Sequence, residues 1–125
     1  NSEQDRLTLV ETAISGDPSF FLGTDSAPHP THAKYGKDAK AGIFNAAYGL
    51  EVIAEIFAIE NKLDNLSAFT SINGATFYGY EPSQETITLH RSSLDLEKAT
   101  HISTENGNQV VLFGVEEASQ WTIST

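Results

Sequence analysis

The stretch Phe20-Phe21-Leu22-Gly23-Thr24-Asp25-Ser26-Ala27-Pro28-His29 decides how the rest of this chain of 125 residues is read. Its opening run is apolar without alternation, which suits a strand buried on both faces, as in parallel sheets. Asp25 follows the run directly. Parallel sheets meet their ligands at the carboxyl ends of the strands. A carboxylate there, with His29 and His32 in the same loop, is a candidate proton carrier or a ligand set for a hard or borderline metal. The plainer reading stays open beside it: Asp25 accepts backbone hydrogen bonds in an Asx turn ahead of Pro28, and both imidazoles are solvated.

Working outward from that stretch, Ser2-Glu-Gln-Asp5 is a candidate capping box. Leu7, Val10, Ala13 and Ile14 then recur at helical spacing, which predicts a helix over Glu3 to Ser15 that Gly16 and Pro18 stop. Downstream, Asp25 to Gly42 loses all periodicity and holds Pro28, Pro30, Gly36, three lysines and two histidines, the pattern of a functional loop. Phe44, Ala47, Leu50, Ala54 and Phe57, widened by Ile43, Ile53 and Ile56, predict a strongly apolar helix over 44–60 with Glu51, Glu55 and Glu60 on its wet side. A second helix runs from an N-cap at Asp64 to a stop at Asn73-Gly74. After it, Thr86–His90, Gln109–Phe113 and Gln120–Ile123 read as strands. Helix, buried strand, long loop, two helices and late strands make an α/β chain. The order is that of the closing part of a (β/α)8 TIM-type barrel carrying a small C-terminal β appendage. Residues 1–80 are the barrel part and 81–125 the extension.

Charge narrows the partners. With 17 acidic against 7 basic side chains and a net charge of −10, a surface that tracks nucleic-acid phosphates or an anionic membrane is excluded. The absence of Cys removes disulfides, thiolate zinc sites and thiol nucleophiles. No apolar stretch approaches a membrane span, so the chain reads as soluble. It also lacks Met, and is expected to be a processed product or a piece of something longer.

Phe20 to His29 resembles the final-strand motif of the dihydroorotases, the homodimeric bacterial type in the amidohydrolase superfamily. Ala41-Gly42-Ile43-Phe44-Asn45-Ala46 and Ser71-Ile72-Asn73-Gly74-Ala75-Thr76-Phe77-Tyr78-Gly79 resemble the family's next two landmarks, in order. The resemblance implies a zinc-dependent, reversible cyclisation of N-carbamoyl-L-aspartate to L-dihydroorotate in cytoplasmic pyrimidine synthesis. In that family a metal-bound hydroxide attacks the ring amide carbonyl. The aspartate matching Asp25 contacts one metal, takes the hydroxide proton and delivers it to the leaving ring nitrogen. By the same residue-wise match His29 contacts the substrate carboxylate, and the main chain of Ala41 completes that anchor.

The family's remaining zinc ligands are a His-x-His pair, a carboxylated lysine and two further histidines. None of them is found in this sequence, and neither are the Arg and Asn that grip the substrate from early strands. The chain is therefore expected to be inactive alone. To be ordered it should pair with the missing N-terminal part of the same enzyme or form a homo-oligomer. A noncatalytic association fragment, with the 44–60 helix as subunit contact, is the alternative. A single-metal site of Asp25, His29 and His32 ranks third. Lys34, Lys37 and Lys40 either draw an anionic substrate or are simply solvated. Tyr78, Tyr80 and Trp121 read as packing residues, and His32, His90 and His101 receive no role.

Overall fold

A computed structural model of the chain describes residues 2–35 and 37–125. Two compact units are interleaved in sequence. One joins the segment ending at Gly23 to Ile53–Thr88 and Ser124–Thr125; the other joins Thr24–Val52 to Leu89–Ile123.

In the first unit α1 (Glu3–Ile14) starts on the capping box read from the sequence. Asp5 N donates to Ser2 Oγ at 3.2 Å and Ser2 N donates to Asp5 Oδ2 at 2.7 Å, so two donors that the first turn leaves over are satisfied. The Ser2 backbone N–H, and then its hydroxyl, hold the Asp5 carboxyl below the usual carboxylate range. A carboxyl depressed in the fold contributes stability above its unfolded-state pKa, and that contribution is lost as pH falls through the folded value. Ser2→Ala is expected to destabilise the helix by about 1 kcal/mol at neutral pH. Alanine keeps the residue-2 N–H that bonds the Asp5 carboxylate, so most of this deficit should persist in acid; thermal melts of wild type and variant at several pH values check this, and a deficit that vanishes in acid would show that the hydroxyl acts through the carboxylate and not through the Asp5 N–H.

Residues 20–24 differ from expectation. They form no strand, because a strand needs a neighbour's ladder and these residues share none with any described segment. Some of their backbone groups are bonded otherwise: Leu22 N donates to Phe69 O at 3.0 Å and Asn73 Nδ2 donates to Phe20 O at 3.2 Å. The expected 64–74 helix is also rebuilt. A 3-10 turn (Leu63–Asn65) without a side-chain cap leads through a π turn (Ala68–Ile72) into a helix over Asn73–Phe77. Asn73 is buried and its amide serves Phe20 rather than a C-cap, so the helix passes Gly74 and ends before Gly79, at φ 76°. Gly74 is needed for close approach, since a Cβ there would lie 3.1 Å from the Phe21 ring. Phe57, fully buried, packs on Phe69 with ring centroids 5.6 Å apart, and Ile14, Ala54 and Leu66 complete this core.

The second unit contains a short helix, α2 (Thr31–Lys34), inside the long loop. α3 (Gly49–Ile59) begins in this unit and crosses into the first at Ile53. With the Asn73–Phe77 helix taken as α4, the strands are β1 (Thr88–Arg91), β2 (His101–Ser103), β3 (Gln109–Val111) and β4 (Trp121–Ser124). β1 pairs with β4, and β2 pairs antiparallel with β3 in the register His101–Val111, Ile102–Val110 and Ser103–Gln109. Leu112 extends β3 into a parallel bridge with Phe44, and Phe113 N donates to Phe44 O at 3.0 Å. That bridge holds Phe44 extended, which is why α3 starts at Gly49 and not at 44.

The wet side read for this helix is partly wrong. Glu51 is only 6% exposed, facing Lys98 Nζ at 4.0 Å, while the same ammonium lies 4.9 Å from the Tyr48 ring centroid. A cation supplied by a segment far along the chain makes burial of that carboxylate tolerable. Trp121 is buried with Arg91 5.5 Å above its ring, as a packing anchor should be. Tyr78 touches Phe21 and Phe77 edge-on, whereas Tyr80 is 73% exposed and does not pack as read. No helix among the described residues is long and apolar enough to cross a membrane.

Candidate functional site

Asp25 is exposed and sits at φ 43°, in the left-handed region that Asp and Asn enter more readily than other side chains. Its neighbours are pinned on both sides. Asn45 Nδ2 donates to Thr24 O at 2.8 Å, and Ala46 N donates to Ser26 Oγ at 3.3 Å. The segment Phe44–Ala46 therefore acts as a rack for the turn that bears Asp25. Asn45 Oδ1 is buried without a hydrogen-bond partner among the described residues, an unusual state for a buried polar atom.

From Ala27 the loop folds back on itself. Ala27 N donates to Ile43 O at 2.8 Å, which lays the 41–43 segment beside Ala27. Gly42 makes the contact possible, because it adopts φ 108° and any Cβ on it would lie 2.6 Å from Ala27 Cβ. The same built Cβ would be 3.7 Å from His29 Nε2, so the imidazole flanks the Gly42 backbone. His29, half-buried, lines a cavity of about 120 Å³ together with Ala27, Lys34, Gly42, Val110 and Leu112. α2 is held to the hairpin by Thr31 Oγ1, which donates to Gln109 O at 2.8 Å.

The structure thus brings His29 together with the backbone next to Ala41, two of the residues picked from sequence, and places Asp25 on the same loop. His32 is exposed on α2 and lines none of this cavity. Among the described residues no three of His, Asp and Glu converge on a point that could hold a metal ion, so the single-metal arrangement of Asp25, His29 and His32 is not formed. By the same test the chain's own donors do not fit a binuclear zinc centre. Asn45 and Gly42 had no assigned part in the site, and Lys34 had only the open reading of drawing an anionic substrate or being solvated. Lys34 is half-buried rather than solvated, and only its position among the prolines and glycines of the loop marked it.

No protein-family model matches the chain. The comparison with solved structures gives the class of fold that the chain is similar to: it matches part of the fold of dihydroorotases. One match is to dihydroorotase of Saccharomyces cerevisiae, in complex with 5-fluoroorotic acid, at a TM-score of 0.86 and 29% identity, covering 99% of this chain and 35% of that one. Within the class, the chain is similar to dihydroorotases along nearly its whole length. It is 40% identical over 97% of its residues to dihydroorotase of Parasynechococcus marenigrum and 44% identical over 97% to that of Erythrobacter litoralis. The chain spans about a third of the length of these curated relatives, 33% and 34% respectively.

Proposed function

We propose that the chain is the C-terminal portion of a dihydroorotase, contributing the proton carrier and the substrate-carboxylate anchor of His29 and Ala41 to the reversible interconversion of N-carbamoyl-L-aspartate and L-dihydroorotate. In the hydrolytic direction, water adds to the ring amide carbonyl and gives its proton to the Asp25 carboxylate. The C–N bond then breaks and Asp25 returns the proton to the departing ring nitrogen, so one group acts as base and then as acid. His29 and the Ala41 main chain bind the substrate carboxylate through charge-assisted or polar hydrogen bonds. Zinc belongs to this reading as a property of the intact enzyme, with Asp25 as this chain's one donor and the other ligands outside it. The observation that carries the proposal is the fit of the whole chain onto a dihydroorotase at a TM-score of 0.86. That relative's complex with 5-fluoroorotic acid, a ring bearing a carboxylate, supports the anchor.

Large apolar side chains such as Leu9, Ile59 and Phe77 are about 70% exposed and call for a cover. We assign that cover to the rest of the same enzyme, which acts as a cytoplasmic homo-oligomer. α3 is a poor subunit contact, because Ala54 and Phe57 are fully buried within the chain and only Ile59 of the helix is exposed. The test is expression of the full reading frame. The purified protein should interconvert the two compounds, and the isolated chain should neither do so nor retain stoichiometric zinc. A reading frame without a His-x-His pair upstream, or a full-length protein that leaves both compounds unchanged, would sink the proposal.

A further inference from the structure

We propose that Lys34 is a positioning residue for the carboxylate anchor, setting the direction and the donor strength of the Ala41 N–H; this rests on the anchor assigned above. The lysine reaches back across the loop. Its Nζ donates to Lys40 O at 3.3 Å and to Gly42 O, so its two acceptors bracket Ala41. A backbone bond from Lys40 N to Ala33 O at 3.0 Å fixes the same corner.

The geometry of the peptide gives the first bond its consequence. The Lys40 carbonyl and the Ala41 N–H belong to one planar unit, and no peptide bond among the described residues is cis. In a trans peptide the carbonyl and the N–H point in opposite directions. Turning the Lys40 carbonyl toward Lys34 therefore turns the Ala41 N–H away from it, with no freedom left about the C–N bond. The second bond fixes the Gly42–Ile43 peptide through Gly42 O, and Ala27 N fixes the one after through Ile43 O at 2.8 Å. Three of the four carbonyls from Lys40 to Ile43, all but that of Ala41, are thus held by donors outside the segment.

Charge adds to direction. An ammonium on a carbonyl oxygen polarises the peptide and strengthens the N–H at its other end as a donor. Lys34 is half-buried beside Ile43, Val110 and Leu112, while residues 40–42 are exposed, so water screens part of this effect and direction carries more of it than charge. Alanine at 41 has no polar side chain, and a main-chain donor can only be tuned by what holds its peptide. Lys34 does so without touching the substrate.

The test uses the full-length enzyme with Lys34→Met, which keeps the length and loses the donors, and Lys34→Arg, which keeps the charge and donors. Turnover of dihydroorotate by the wild type is read first, and its absence counts against the functional proposal alone. Two readouts then concern Lys34. Exchange of the Lys40 amide, which donates to Ala33 O in the corner that Lys34 closes, should speed up in Lys34→Met, a result that needs no activity. The affinity for 5-fluoroorotic acid should fall, and KM rise, by roughly tenfold to a hundredfold, with kcat changed by less than about threefold. Lys34→Arg should recover most of the affinity. If Lys34→Met fails to melt cooperatively, Lys34→Gln replaces it in the same two measurements. Unchanged exchange at the Lys40 amide would overturn the clamp. Faster exchange with unchanged affinity, or a loss in kcat with KM constant, would overturn its link to the carboxylate.

Discussion

Asp25→Asn in the full-length enzyme is expected to lower kcat in both directions by the 10²–10⁴-fold that a positioned acid–base group contributes, toward the upper end because one carboxylate serves both half-reactions. Asparagine is the sharper substitution for a reason visible in the backbone. Asp25 stands at φ 43°, where Asp and Asn are tolerated and alanine pays a left-handed penalty of roughly 1–2 kcal/mol. Asn therefore keeps the turn and removes only the proton acceptor, whereas Asp25→Ala removes both. The two variants should share the loss of turnover, while Asp25→Asn melts with the wild type and Asp25→Ala melts lower. Steady-state kinetics in the cyclising and hydrolysing directions, paired with thermal melts, separate the effects. An Asp25→Asn enzyme retaining more than about a tenth of wild-type kcat would remove Asp25 from the chemistry.

The sequence made the ends of this structure more legible than its middle, and the difference is one of range. α1 is decided within a few residues by Ser2, Asp5 and a repeating apolar stripe, and it formed as read apart from its last residue. β1, β3 and β4 follow from alternation and lie within two residues of expectation. β2 was missed because His101–Ser103 carries no apolar alternation; it exists only because β3 lies beside it. The same non-locality explains the errors elsewhere. Glu51 is buried because of Lys98, Phe44 is extended because of Leu112, and residues 20–24 take their hydrogen bonds from a π turn and an Asn side chain far along the chain. Around the candidate site the sequence pointed to Asp25, His29 and Ala41. It could not point to Lys34 and Asn45, whose parts depend on which backbone carbonyls the folded loop presents to them.

The second large effect is expected at Gly42. Its φ of 108° lies where only glycine rests without strain, which costs another residue about 1–3 kcal/mol. Alanine adds a collision, since its Cβ would stand 2.6 Å from Ala27 Cβ and 3.3 Å from Ala27 O, both rigidly fixed to backbone and unable to swing aside. Overpacking of that kind typically costs a further 1–3 kcal/mol or so. The loop must open to accept it, and that pulls the Gly42 carbonyl from Lys34 and the Ile43 carbonyl from Ala27 N. Gly42→Ala should therefore lower the melting temperature and raise KM together, whereas Gly23→Ala, where a Cβ meets nothing within 4 Å, should do neither. A double-mutant cycle divides the cost. Ala27→Gly removes the atom that Gly42→Ala strikes, so adding it should recover the collision's share and leave the backbone strain. The two sites should thus couple by roughly 1–3 kcal/mol. Additive melting shifts would mean that the loop does not close on Ala27 in solution, and with it would go the wall that sets His29 beside the Ala41 peptide.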